Sequence, residues 1–168
     1  PAVADLAGVA ARVRDGLSTS AYPLAWVRSA AGWGDAVPSD DAELMVAGAS
    51  ATISPREETG LDAEEESLLL TLERADWLGA IVELVRAGPG APARPEDLVA
   101  AIHRCPEVEI APDVDLDDDE LTDAAFSIVT TAWLALGLLD RDDRLTAVGS
   151  WVLPRALARA WGSDFDQG

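Results

Sequence analysis

Apolar residues recur at intervals of three and four along most of this chain, and strict alternation is confined to one short stretch. Residues 2–15 place Val3, Leu6, Val9, Ala10 and Val13 on one face with Arg12, Arg14 and Asp15 opposed, an amphipathic helix ended by Gly16. Leu24, Ala25, Trp26 and Val27 form a second helical segment, with Pro23 suited to its first turn and Gly32-Trp33-Gly34 closing it. Residues 35–60 are weakly patterned. Ser39 or Asp40 can cap a short helix carrying Leu44, Met45 and Ala47, closed by Gly48, and Thr59-Gly60 marks a boundary.

From Leu61 to Ala87 the helical period is most persistent. Asp62 and Glu65 have capping-box spacing, and Leu68, Leu69, Leu72, Ala75, Leu78, Val82 and Val85 form a wide apolar face. Asp76 is placed to cap a second helix beginning at Trp77. Residues 88–92, GPGAP, cannot remain helical. A short helix then runs from Pro95 to about Arg104 and buries Leu98, Ala101 and Ile102; Pro106 closes it. Val108 and Ile110 alternate with Glu107 and Glu109, the pattern of a brief edge strand.

The last third is the most explicit. Asp117 and Glu120 repeat the capping-box spacing, and Leu121, Ala125, Ile128, Ala132 and Ala135 form a stripe widened by Phe126, Val129 and Trp133. Gly137 stands where a helix needs a left-handed residue, so that Leu138 can pack back on Trp133. Leu138-Leu139 begins a strand, Arg141-Asp142-Asp143 turns, Arg144-Leu145 returns, and Thr146 caps a final helix that Pro154 must kink or restart. The order helix, Gly, Leu-Leu, turn, Leu-Thr-x-x-Gly, helix resembles the recognition helix, wing and closing helix of bacterial winged-helix regulators, over residues 76–161. The expected fold is therefore mainly α, with a winged-helix-like C-terminal half (61–168) that includes a short β-hairpin, preceded by an N-terminal helical region (1–60).

Charge changes what that resemblance implies. The chain has 168 residues and a formal net charge of −19. The four arginines in each of residues 1–60, 61–111 and 112–168 face eight, eleven and twelve acids, so no basic domain hides behind an acidic tail. Winged-helix regulators neutralise phosphates with Lys and Arg, yet the polar face of the third helix here offers Asp123, Ser127, Thr130 and Thr131. None of the family's DNA-contacting roles carries over. The absence of Lys and Asn throughout fits codon bias in a high-GC bacterial genome.

Candidate chemistry is sparse. Asp113-x-Asp115-x-Asp117 copies the start of an EF-hand loop but then offers Asp118 where Gly is needed and Ala124 where Glu is needed. His103 and Cys105 lie two apart, and the chain has no other His or Cys to complete a zinc site. A lone cysteine forms no internal disulfide, which suits the cytoplasm. Carboxylates are abundant, but nothing singles out a catalytic pair. No catalytic residue, metal or cofactor is implied, and no run is long and apolar enough to span a bilayer. An apolar fraction of 49% with six tryptophans gives a real core. Trp77 and Trp133 are expected within it, whereas Trp151 and Trp161, rimmed by Arg155 and Arg159, are the candidate interface. The leading expectation is a non-enzymatic protein–protein interaction or assembly module, paired with another protein or with itself. A DNA-binding regulator, and a small-molecule-binding or carboxylate-dependent enzyme, are the alternatives.

Overall fold

A computed structural model describes residues 5–19, 21–105 and 116–166, the side chains of 74, 116–119 and 161–166 excepted. The described residues form eight helices: α1 (Leu6–Ser18), α2 (Leu24–Ala31), α3 (Asp41–Ile53), α4 (Ala63–Leu70), α5 (Arg74–Ala87), α6 (Pro95–Arg104), α7 (Leu116–Ala135) and α8 (Ala147–Asp166). The expected edge strand at 107–110, the EF-hand-like acids and the Asp117 cap fall wholly or partly outside the described residues.

Helix α3 is the centre of the packing. Leu44, Met45, Ala47, Gly48, Ala49, Ser50, Ala51, Thr52 and Ile53 are all buried, so this helix is covered on every side. It packs most extensively on α8 and also touches α1, α2 and α7. Asp40 caps its start by accepting from the Glu43 N–H at 2.9 Å. Gly48 does not end it, contrary to the sequence expectation. A Cβ there would stand 3.3 Å from Trp33 and 3.5 Å from Leu136, so this glycine serves close helix approach within the helix. One cluster of buried side chains runs without interruption from Leu6 on α1 to Leu157 on α8.

Two aromatic contacts join α5 to α7. Trp77 meets Phe126 edge-on at 5.5 Å and lies 6.2 Å from Trp133. Both tryptophans are buried, and Trp133 donates its indole N–H to Thr52 Oγ1 at 3.0 Å, tying α7 to the middle of the fold. The break between α4 and α5 falls at Thr71–Glu73, one turn earlier than expected. Asp76 contributes to it from inside α5 by accepting from the Glu73 N–H at 2.8 Å. Burial raises the Asp76 carboxyl above its ordinary 3.8, a push that the Glu73 N–H opposes and the Glu73 carboxylate reinforces.

The stretch between α7 and α8 corrects the expected fold class. Gly137 has φ of 73° and Leu138 donates to the Trp133 carbonyl at 2.9 Å, the left-handed stop that the sequence predicts. Thr146 caps α8 by accepting from the Gly149 N–H at 2.9 Å. Between these ends only two isolated antiparallel bridges occur, Leu139 with Leu145 and Pro92 with Arg144. The described residues contain no strand, so the short β-hairpin and the winged-helix-like half that depends on it are not present; the fold is all-helical. The reason is room. The helix stop and the helix cap consume the outer ends of both arms, and Asp140 folds the connection on itself by accepting from the Asp142 and Arg144 N–H groups. Leu145 also donates to the Ala91 carbonyl and accepts from Gly90, which fastens the turn to the loop before α6. Pro154 lies within one continuous helix and does not restart it.

Candidate functional site

The four expected interface residues stand on α8 with different fates. Its apolar face, including Val148, Val152, Leu153, Ala156 and Leu157, is buried, with α3 as the most extensive partner. Trp151 is half-buried and packs against the core. Arg155, one turn on, lays its guanidinium 4.0 Å over the Trp151 ring and donates to the Trp151 carbonyl at 2.8 Å. Arg159 reaches across to α3 and pairs with Glu43 at 2.7 Å. Trp161 lies on the backbone of α8, and its side chain is outside the described residues. The structure thus brings Trp151 and Arg155 together and diverts Arg159 to an intramolecular pair.

A second surface is better formed, and it was missed in the reading of the sequence. Helix α4 has no fully buried residue: Leu68 and Leu69 are half-buried, and Leu70 is 79% exposed. Leucines at three consecutive helical positions sweep about 200°, so one of them must leave any single apolar face. That geometric signal was available in the sequence. Asp62 caps α4 by accepting from the Glu65 N–H at 2.8 Å, and Glu64, Glu65 and Glu66 occupy its first turn at the positive end of the helix dipole.

Between α4 and the end of α3 lies a cleft of about 630 Å³. Ile53, Leu69, Leu70 and Leu72 supply its apolar lining. The opposite wall is the segment 54–59, held against α2 where Arg56 and Glu57 donate backbone N–H groups to the Ala30 carbonyl. Ser29 adds its hydroxyl to the Glu58 carbonyl at 2.5 Å. Among the described residues, Glu57, Glu58 and Glu66 line the cleft against the cation Arg56. Near the start of α4, Tyr22 is 56% exposed, and its phenol is raised above the ordinary value of 10.0 by partial burial and then by the Glu65 carboxylate.

Other features are accounted for locally. His103 is exposed and Cys105 buried at the end of α6. Among the described residues, no group of three or more His, Cys, Asp and Glu is arranged to hold a metal ion. No helix of the described residues is long and apolar enough to cross a membrane. Comparison with protein-family models, with curated proteins and with solved structures finds no match to this chain.

Proposed function

We propose that this protein is a non-enzymatic interaction or assembly module, working in the cytoplasm through the cleft beside α4. The observation that carries the reading is Leu70, a large aliphatic side chain left 79% exposed on a helix that buries none of its residues, next to an apolar-lined cleft. Such a helix edge gains stability when a partner removes it from water, at about 25 cal/mol per Å² of apolar surface.

The distribution of cations argues for a protein partner over DNA. Arg144 donates to the Gly90 carbonyl, Arg155 stacks on Trp151, and Arg159 and Arg14 pair with Glu43 and Asp41. At a net charge of −19, little remains to neutralise a phosphate backbone. The test is retention of host proteins by tagged wild type and by Leu70→Asp, with the mass of each measured in solution. A defined partner or a self-association that the variant loses is the expected result. Identical behaviour of the two, or a wild type that retains nothing and stays monomeric, refutes the proposal.

A further inference from the structure

We infer that the cleft beside α4 takes a basic amphipathic segment, one or two large aliphatic side chains flanked by Lys or Arg. The inference rests on the interaction reading above and adds the chemistry of the partner. Two independent observations meet here. The first is apolar: Ile53, Leu69, Leu70 and Leu72 line the cleft, so an entering aliphatic side chain finds an apolar wall. The second is charge. Among the described residues, Glu57, Glu58 and Glu66 line the same cleft against Arg56, and Glu64 and Glu65 continue the negative edge along α4.

Charge selects among occupants. A second copy of this chain carries the same −19 and is repelled as the two approach. An acidic segment would meet three carboxylates. The positive end of α4, which elsewhere could attract an anion, already holds its own Asp62 and glutamates. A basic segment meets complementary charge, which speeds its encounter and sets its register, while the leucines supply the affinity. Recognition of an amphipathic helix in a groove places such anchors at positions i, i+3, i+4 and i+7. Because the segment 54–59 is bonded to α2, the groove is formed before the partner arrives.

The experiment uses the full chain and three fluorescent peptides. One places Leu at i, i+3, i+4 and i+7 on a Lys background, a second scrambles the same residues, and a third replaces Lys by Glu. The ordered Leu/Lys peptide is expected to bind at least tenfold more tightly than either control, and to slow amide exchange over residues 53–72. Leu70→Asp should weaken that binding tenfold or more, and Glu57→Gln with Glu58→Gln should flatten its salt dependence. Leu70 and both glutamates are exposed, so circular dichroism should show all variants folded. Equal binding of ordered and scrambled peptides, or no effect of Leu70→Asp, overturns the inference, since attraction to bulk negative charge then explains the result. A host partner lost by Leu70→Asp but not displaced by the Leu/Lys peptide overturns the basic segment and leaves the interaction reading standing. Failure of the peptide, with no host partner and no self-association, removes both.

Discussion

Gly149→Ala is the sharpest test of the α7–α8 connection, because two physical effects oppose each other there. Gly149 lies in the first turn of α8, where alanine gains roughly 1 kcal/mol of helix propensity over glycine. A Cβ at this position, however, overlaps the Leu138 carbonyl oxygen and stands 2.8 Å from Leu145 Cδ1. The Leu138 obstacle is backbone, held between Gly137's left-handed stop and the Thr146 N–H, so it cannot rotate aside. Relief requires α8 to move off the turn, which stretches the Thr146 cap at the same time. Overpacking of this kind costs ~1–3 kcal/mol, and a weakened cap about 1 more. Net destabilisation of about 1–3 kcal/mol is expected after the propensity gain. Denaturant unfolding at 25 °C measures it. Gly8→Ala is the control of opposite sign: that glycine is exposed on α1, and among the described residues a Cβ would meet only the exposed Asp5 side chain, at 3.3 Å. Gly8→Ala should be neutral or stabilising by up to ~1 kcal/mol. If Gly149→Ala is also neutral or stabilising, the contact between α8 and the Leu138 carbonyl is not as described.

Three further outcomes are expected. Thr52→Val leaves the buried Trp133 N–H without its acceptor and should cost ~1–3 kcal/mol in denaturant unfolding, with a shift in Trp fluorescence; an unchanged midpoint refutes the pairing. Asp76 has a folded pKa above its ordinary 3.8, so its stabilising contribution is full in acid below that value and is lost as pH rises through the raised one. The stability of wild type relative to Asp76→Asn should therefore decline from about pH 3 to pH 7, and a flat difference contradicts the shift. Raising NaCl from about 0.1 to 1 M shortens the Debye length from ~10 to ~3 Å and should raise the thermal midpoint of a chain with this much self-repulsion; a falling midpoint counts against that account.

What was legible in the sequence was mostly local. Asp62 with Glu65, and Gly137 with Thr146, mark helix ends through bonds spanning a few residues, and the structure contains those bonds. The helix core of α7 was legible because its apolar stripe is wide. Positions whose meaning depends on distant neighbours were not. Gly48 looks like a helix stop until Trp33 and Leu136 are known to press on it. Leu138-Leu139 and Leu145 have strand composition, but two helix ends leave room for one isolated bridge between Leu139 and Leu145 and for no strand. Among the interface candidates, Trp151 and Arg155 do meet, whereas the diversion of Arg159 to Glu43 joins helices far apart in the chain and carries no local signal. Leu70 falls off the apolar face that Leu68, Leu69 and Leu72 share, but exposure alone does not mark a surface until the cleft beside it is known.

The position of α3 has a consequence for the chain as it is made. Its residues from Leu44 to Ile53 are apolar or small on every side, and the helix that covers them most extensively, α8, begins at Ala147. Synthesis proceeds at ~5–20 residues per second, so α3 waits many seconds on the ribosome before that cover exists. During that interval it is a sticky nascent segment. By residue 111 the unfinished chain carries eight arginines against nineteen acids, so neighbouring copies repel one another while the cover from α8 is still unmade.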